Sequence, residues 1–375
     1  MENHRSEINS KNITLVLTHQ CNLACTYCYE HHKEHRTMPV ELAKKIVDEE
    51  LTMDDGISMV EIDFFGGEPL LEYDTIREVV EYVKAKEYPK DYIFFITTNG
   101  VLLDDERKAW LEENSDYLQI GLSLDGTKEM HNQNRSDSFD DIDLSFFHRV
   151  YPEESVKMTI SLETLPNLAQ GVIFCHQQGF EVSCNLAYGI DWQKERNRKT
   201  FEQQLMVLID YYLQHPDIKP CSLLDINRIK SIAQPTEKAV RYCGAGYAMR
   251  AYDCDGTVYP CQFFLPICVG EAEAKRALTI DFSNPELEEH QMDEACRTCS
   301  IRNVCPTCYG NNYATTGDIY KKDMRLCEMN RIHFKAIAFF AAKRFEAGGA
   351  PGFSVSDMAA ILKAAISILQ SVWET

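Results

Sequence analysis

The order of hydrophobic and polar residues divides the first half of the chain into alternating strands and helices. Short apolar or alternating runs are separated by segments in which apolar residues recur with helical spacing. Strands that alternate with helices form parallel sheets with right-handed crossovers. The predicted strands are Ile13–Thr18, Val60–Phe65, Tyr92–Thr97, Leu118–Leu124, Val156–Leu162 and Glu181–Ala187, and the clearest helices are Pro39–Leu51, Tyr73–Lys84 and Asp104–Glu113.

Six such strand–helix units predict an α/β fold, a partial (β/α)6 barrel of the TIM type. In such barrels the functional residues collect at the carboxyl ends of the strands. A doubly wound open sheet is the alternative. The absence of a G-x-G-x-x-G motif after the first strand weakens that alternative.

Composition and charge restrict the classes of partner. Of 375 residues, 45% are apolar and 26% are charged, as in ordinary globular proteins. The formal net charge of −20 argues against a nucleic acid or an anionic membrane as the main partner. No apolar run approaches the ~20 residues that span a bilayer. The N-terminal residues lack the apolar stretch of a signal peptide, so we expect a cytoplasmic protein.

Fifteen cysteines are the unusual feature of this composition. Disulfides are rare in a reducing compartment, so metal or redox chemistry is the first interpretation of a cysteine-rich cytoplasmic chain. Three cysteines lie in the segment CNLACTYC, directly after the first predicted strand, and nine lie between Cys243 and Cys327. Two groups, separated by a long cysteine-poor stretch, predict two functional modules.

The spacing of the first group alone permits two kinds of site. Cys21, Cys25 and Cys28 can surround one face of a four-iron cluster and leave one iron open for a ligand. The alternative is a zinc site in which a nearby histidine completes the three thiolates; the candidates are His19, His31 and His32.

The CxxxCxxC spacing, with Tyr27 just before the last cysteine, resembles the signature of the radical S-adenosyl-L-methionine (radical SAM) enzymes. The resemblance implies that the three cysteines hold a 4Fe–4S cluster, whose open iron binds S-adenosyl-L-methionine (SAM). Electron transfer into SAM then releases a 5′-deoxyadenosyl radical, which abstracts a hydrogen from the substrate.

Residues at the ends of later strands fit the same resemblance. Gly66-Gly67-Glu68 resembles the family's GGE motif, in which glycines allow close approach and the carboxylate meets the SAM amino group. In related enzymes a serine at the end of the fourth strand touches the ribose, an arginine after it approaches the methionine carboxylate, and backbone groups of the sixth strand meet adenine. The implied cofactor-binding residues are Tyr27, Gly66, Gly67, Glu68, Ser123, Arg135 and Leu186.

The second cysteine group has the spacing of an auxiliary iron–sulfur domain. The cysteines run C-x12-G-x4-C from Cys243 to Cys261 and C-x2-C-x5-C-x2-C from Cys296 to Cys308, and the group ends at Cys327. Taken alone, the second run also suits a zinc ribbon. Beside the first motif, the group resembles the SPASM domain of radical SAM enzymes that act on peptides and proteins. Its last gap is one residue shorter than the family's usual spacing.

The SPASM resemblance implies two further clusters, so we expect three 4Fe–4S clusters in all. It assigns Cys243, Cys261 and Cys308 to the first auxiliary cluster. The fourth position of that cluster is taken either by substrate or by a protein thiolate, with Cys268 preferred over Cys254 and Cys221. The second auxiliary cluster would be held by Cys296, Cys299, Cys305 and Cys327.

We expect three parts along the chain. A radical SAM partial barrel with bridging helices covers residues 1–232, a small cysteine-rich SPASM domain covers 233–332, and C-terminal helices form the tail over 333–375. An apolar stripe on the last helix either packs on the body of the protein or binds a partner.

Two groups of relatives compete for the function. Anaerobic sulfatase maturases form formylglycine and carry an aspartate base directly after the cysteine of a YPC segment. Here Gln262 follows Tyr259-Pro260-Cys261, and its amide takes no proton at neutral pH. The other group modifies ribosomally made peptides (RiPPs). We therefore expect a radical SAM peptide maturase, an oxidoreductase that installs a crosslink, and a thioether is the expected bond.

The expected partners are a peptide substrate with a leader and an electron donor such as flavodoxin or ferredoxin, with neither nucleic acid nor membrane. The sulfatase maturase remains the alternative activity. A non-enzymatic zinc-binding scaffold is the alternative from a different class of protein. The sequence assigns no catalytic acid or base.

Overall fold

The computed structural model describes residues 9–233, 243–282, 294–348 and 352–371. The predicted outer domain limits, residues 1 and 375, lie outside these ranges. The strands are β1 (Ser10–Thr18), β2 (Met59–Gly66), β3 (Asp91–Thr98), β4 (Leu118–Leu122), β5 (Val156–Ile160), β6 (Val182–Leu186), β7 (Met249–Tyr252) and β8 (Val258–Tyr259).

The α-helices alternate with the first six strands and then follow one another towards the C-terminus. They are α1 (Val40–Thr52), α2 (Tyr73–Lys84), α3 (Asp105–Glu113), α4 (Lys128–Asn134), α5 (Leu144–Val150), α6 (Leu168–Gln177), α7 (Glu195–Gln214), α8 (Pro266–Val269), α9 (Glu271–Ala277), α10 (Glu294–Arg297), α11 (Tyr309–Thr316), α12 (Cys327–Glu346) and α13 (Val355–Gln370). Among the described residues, none of these helices combines the length and the apolar character that a membrane crossing needs.

The chain forms two compact units. The described residues of the first unit belong to Met1–Leu124, Arg135–Ser155 and Gly244–Asn284. Those of the second unit belong to Asp125–Asn134, Val156–Cys243 and Pro285–Thr375. The three-part division drawn from the sequence stays a prediction.

A six-stranded sheet is the core of the first unit, in the order β4-β3-β2-β1-β7-β8. Strands β1, β2, β3, β4 and β7 all run parallel to one another, and β8 at the end of the sheet pairs antiparallel with β7. Ile13, Leu15 and Val16 of the central strand are fully buried, as expected for a parallel strand covered on both faces. Consequently the loops after β1, β2, β3 and β4 leave the same edge of the sheet.

The second unit contains the parallel pair β5–β6 together with the helices around it and the C-terminal helices. The large buried side chains here include Phe201 and Tyr212 of α7 and Phe334 and Phe340 of α12. The last helix, α13, buries Ile361, Ala364, Ala365 and Ile368 on one face.

The predicted α/β class is confirmed, with a parallel sheet and a cysteine-rich region followed by C-terminal helices. All six predicted strands are present, within a few residues of their predicted limits. Two features of the sheets differ from the predicted series of six strand–helix units. Strands β7 and β8 extend the sheet beyond β1, and β5 and β6 form a two-stranded sheet of their own.

A buried carboxylate connects the start of α4 to β5 within the second unit. Asp125 accepts the backbone N–H of Thr159 at 2.9 Å and the side-chain amide of Asn134 at 3.0 Å. Asn134 in turn accepts the hydroxyl of Ser161 at 2.8 Å. Asp125 is fully buried, so each of these donors depends on it rather than on water.

We predict that Asp125→Ala loosens β5. The variant leaves the Thr159 N–H without its acceptor, at a cost of about 1–3 kcal/mol, and leaves the Asn134 amide only its longer hydrogen bond to the Thr159 carbonyl at 3.3 Å. Amide hydrogen exchange over Val156–Ile160 should accelerate by roughly tenfold or more. The exposed Asp116→Ala is the control and should change nothing. Unchanged exchange in β5 would show that the carboxylate is dispensable there.

Candidate functional site

The loop between β1 and α1 carries the first cysteine group. Cys21, Cys25 and Cys28 are partly exposed thiols. A turn brings the last two together, since the N–H of Cys28 donates to the carbonyl of Cys25 at 3.2 Å. Burial raises the pKa of Cys21 to about 11 and also raises that of Cys28. A bound metal would be needed to hold these thiols as thiolates at neutral pH.

The three sulfurs of the cysteine loop are not spaced like the ligands of a single zinc ion. In a tetrahedral zinc site the sulfurs lie about 2.3 Å from the metal, and so about 3.8 Å from one another. Among the described residues, one group of three side chains has possible metal-ligating atoms that all lie within 4.8 Å of one another: His19, Asp253 and Cys254. The sulfurs of Cys21, Cys25 and Cys28 are therefore more widely spaced than in a zinc site. His19, a candidate zinc ligand, instead pairs through Nε2 with Asp253 at 2.7 Å.

The end of β2 lies directly against the segment that leads into the cysteine loop. The N–H of Gly67 donates to the Thr18 carbonyl at 3.1 Å, and that of Glu68 donates to the Gln20 carbonyl at 2.9 Å. A Cβ on Gly66 would lie 2.1 Å from the Thr18 oxygen, and one on Gly67 would lie 2.4 Å from the Gln20 oxygen. Gly66 also has φ +146°. Only glycines allow this approach.

Glu68 presents a fixed carboxylate at this edge of the sheet. It is 1% exposed, and its oxygens accept the N–H of Leu70 at 3.1 Å, the hydroxyl of Thr98 at 2.8 Å and the N–H of Asn99 at 2.8 Å. Burial raises the pKa of Glu68, and the positive charge of Arg135 acts in the opposite direction. A carboxylate has about four acceptor sites, so one remains for the ammonium group of a ligand.

Arg135 completes a pair of opposite charges in the first unit. It is 7% exposed, and its guanidinium carbon lies 5.4 Å from the centre of the Tyr27 ring, in the cysteine loop. Ser123 is also buried, and its N–H donates to the Thr98 carbonyl at 2.8 Å. A buried anion and a buried cation beside the cysteines suit a zwitterion, such as the methionine end of SAM. Leu186 belongs to the second unit, where it lines a cavity.

Two charged residues near the cysteine loop were not assigned from the sequence. The ammonium group of Lys33 hydrogen-bonds the Cys28 thiol, and its charge also acts on Cys21. Glu30 lies 4.0 Å from that ammonium, and burial raises its pKa to about 7. The only signal in the sequence is the charge-rich run after Cys28, which is equally typical of a solvated loop. The positive charge of Lys33 would stabilise the additional negative charge of a reduced cluster bound at this loop.

The second cysteine group lines a cavity of about 130 Å³ in the second unit. Burial raises the pKa of Cys305 and of Cys308 to about 11. Other cysteines of the group lie close enough to Cys305 to raise its pKa as well. The side chains of Lys322 and Arg331 add positive charge to the lining. The cysteines in the lining from this group are Cys296, Cys299, Cys305, Cys308 and Cys327, which include all four predicted for the second auxiliary cluster.

The predicted ligands of the first auxiliary cluster are divided between the units. Cys243 and Cys308 belong to the second unit and are close enough for their charges to interact. Cys261 and Cys268 belong to the first unit and are likewise close. The Cys268 thiol donates to the Gln262 carbonyl at 3.2 Å. The ligand set of this cluster stays a prediction.

The other two candidates for the fourth position of that cluster are also buried. Cys254 lies between the antiparallel strands β7 and β8, and its thiol donates to the Val16 carbonyl at 3.2 Å. Cys221 is buried in the second unit, where its N–H donates to the hydroxyl oxygen of Tyr212 at 2.9 Å. The fourth ligand stays a prediction.

Comparisons with known proteins include the residues around the first cysteine group. Residues 15–143 match the radical SAM superfamily. An uncharacterized protein of Methanocaldococcus jannaschii is 32% identical over 116 residues, which is 31% of this chain but only 39% of that protein. The cysteine-type anaerobic sulfatase-maturating enzyme of Clostridium novyi is 25% identical over 324 residues, covering 76% of this chain and 83% of that enzyme.

Two kinds of solved structure share the fold. A histidine-tagged anSMEcpe with bound AdoMet superposes with a TM-score of 0.70 at 18% identity, over 95% of this chain and 98% of that one. SuiB of Streptococcus suis, bound to its precursor peptide SuiA, gives a TM-score of 0.57 at 17% identity, over 84% of this chain and 75% of that one. Residues 15–143 therefore form a radical SAM domain, and the chain shares its fold with these solved structures.

Proposed function

We propose that this enzyme is a maturase that acts on a ribosomally made peptide and installs a thioether crosslink. The observation that carries the proposal is the cysteine-lined cavity of the second unit, which accompanies a complete first cysteine loop. Two kinds of maturase support it by similarity: enzymes named for the maturation of sulfatases, and SuiB, which was solved with its precursor peptide. An electron donor such as flavodoxin or ferredoxin would supply the reducing electron.

The residues of the first unit would hold the cofactors in place. Cys21, Cys25 and Cys28 would bind the cluster, and SAM on that cluster supplies the radical that takes a substrate hydrogen. Glu68 would accept the ammonium group of SAM, and Arg135 would bind its carboxylate. The burial of both side chains excludes water from these contacts and so strengthens them. Lys33 would stabilise the reduced cluster by its charge.

The choice of thioether over formylglycine rests on Gln262. Its side-chain oxygen is buried and has no hydrogen-bond partner among the described residues. An amide oxygen there can accept a hydrogen bond from a substrate N–H, but it takes no proton from a thiol at neutral pH. An auxiliary cluster would itself lower the pKa of a coordinated substrate thiol, so no base would be needed beside it. Formylglycine formation remains the second candidate, since the match to the C. novyi maturase extends over most of both chains.

The products separate the candidate functions. The reduced enzyme would be incubated with SAM and a cysteine-containing peptide encoded by a neighbouring gene, and the peptide would be analysed by mass spectrometry. Loss of two hydrogen atoms, together with loss of the reactive thiol, indicates a thioether. Replacement of the thiol by an aldehyde indicates formylglycine. An unchanged peptide, with colourless zinc-bound protein, would indicate the non-enzymatic scaffold.

We predict that replacing Cys21, Cys25 and Cys28 together with alanine abolishes the reductive cleavage of SAM. The thiolates are the ligands of the cluster that delivers the electron, so 5′-deoxyadenosine should fall to background. Iron at the auxiliary sites should survive, because the nine cysteines from Cys243 to Cys327 are unchanged by this substitution. Undiminished 5′-deoxyadenosine would overturn the assignment of the first group.

We also predict that Glu68→Gln weakens SAM binding by about ten- to hundredfold. The substitution keeps the shape of the side chain and removes its charge, and a hydrogen bond to a charged group contributes about 1.5–3 kcal/mol. Equilibrium binding to the oxidised enzyme would measure the effect, and the iron content should not change. Glu72→Gln, at a carboxylate four residues along the chain, is the matched control. Equal affinities in both variants would mean that the Gly66–Glu68 segment is only a turn.

A further inference from the structure

The side-chain amide of Asn330 is directed at a cysteine sulfur in the second unit. Its Nδ2 donates to Sγ of Cys305 at 3.8 Å, and both residues line the cavity of the second cysteine group. A thiol sulfur is a weak acceptor, whereas a thiolate accepts a charge-assisted hydrogen bond. The contact therefore becomes stronger when a metal takes the place of the thiol proton.

The two partners of this hydrogen bond are held by separate parts of the fold. The N–H of Cys305 donates to the Ile301 carbonyl at 2.7 Å, and the Thr307 hydroxyl donates to the Cys305 carbonyl at 3.3 Å. Asn330 belongs to α12, where its neighbour Met329 is fully buried. Donor and acceptor are thus in place before a ligand binds, so the contact needs no rearrangement.

Asn330 also lies beside a second predicted cluster ligand. Cys327 is the first residue of α12, and residues three and four positions apart share one side of a helix. Asn330 and Arg331 therefore lie near Cys327, at the end of a 20-residue helix that carries its partial positive charge. Arg331 pairs with Glu328 at 2.7 Å, which offsets part of its charge. Asn330, in contrast, donates directly to a sulfur.

The residues around the cavity fit a four-iron cluster, because all four cysteines predicted for the second auxiliary cluster line it. Reduction adds negative charge to such a cluster, and a hydrogen bond donated to one of its sulfurs stabilises the reduced form more than the oxidised form. We propose that Asn330 raises the reduction potential of the second auxiliary cluster through its hydrogen bond to the Cys305 sulfur. The inference rests on the proposed function, which supplies that cluster.

The test compares the reconstituted full-length enzyme with its Asn330→Leu variant at a series of controlled potentials. EPR spectroscopy would follow the reduced clusters, and the transition that is lost when Cys299 and Cys327 are both replaced by alanine belongs to the second auxiliary cluster. Leucine is close to asparagine in size but has no N–H. We expect the ratio of reduced to oxidised cluster at a given potential to fall about tenfold, which corresponds to about 59 mV for one electron. The other transitions should not move.

Two further variants separate the hydrogen bond from its surroundings. Asn303→Leu is the matched control, since Asn303 is an exposed asparagine two residues before Cys305, and it should leave the potential unchanged. Asn330→Gln keeps an amide donor on a longer side chain, so its potential should lie closer to that of the original enzyme than the potential of Asn330→Leu does. Iron and sulfide should be equal in all of them, because none of these side chains is a predicted ligand.

The failure of this inference is distinguishable from the failure of the proposed function. If Asn330→Leu contains all its iron and the potential stays the same, the amide is a packing contact and the inference alone is wrong. If Asn330→Leu loses the iron of this cluster, the amide serves to retain the cluster, and the inference is again wrong. If no transition depends on Cys299 and Cys327, the second auxiliary cluster and the inference fail together.

Discussion

The close approach of two backbone segments at one edge of the first unit's sheet determines the rest of the site. Gly66 and Gly67 lie against Thr18 and Gln20 at distances that no side chain allows. This contact aligns the start of the cysteine loop with the start of the Glu68 segment, and two backbone hydrogen bonds hold the alignment. The parallel order of β1, β2 and β3 then places Thr98 and Asn99 where they can hold the Glu68 carboxylate. A ligand at this edge therefore meets a rigid surface.

The electrostatics of the site depend on burial. Burial keeps the thiols of Cys21 and Cys28 protonated unless a metal displaces the protons, and it isolates Glu68 and Arg135 from water. A bound cluster would displace the protons of the thiols, and a zwitterionic cofactor would bring the charges that Glu68 and Arg135 are placed to meet.

Much of this arrangement could be predicted from the sequence, because its signals are local. The six strands of the alternating pattern and the glycine–glycine–glutamate segment each occupy a few consecutive residues, and the structure contains them close to their predicted limits. Five cysteines of the second group line one cavity; four of them were assigned from the sequence to one cluster, and Cys308 was assigned to the other.

The missed features depend on partners that are distant in the chain. Strand β7 has four residues, too few for a periodic pattern, and it exists because Met249 pairs alongside Asn12 of β1. The pairing of His19 with Asp253 joins the same two regions, and neither residue has a local signal for it. The hydrogen bonds of the Ser222 hydroxyl to the backbone of Cys184 likewise link a turn to a strand 38 residues earlier, and only a folded chain brings them together.

Iron and acid-labile sulfide, counted per chain in the anaerobically reconstituted protein, test the central claim most directly. Three four-iron clusters require about twelve irons and as many sulfides, in a brown protein. Four irons would restrict the clusters to the first group and remove the argument for a SPASM domain. A colourless protein that contains zinc and no sulfide would contradict the account.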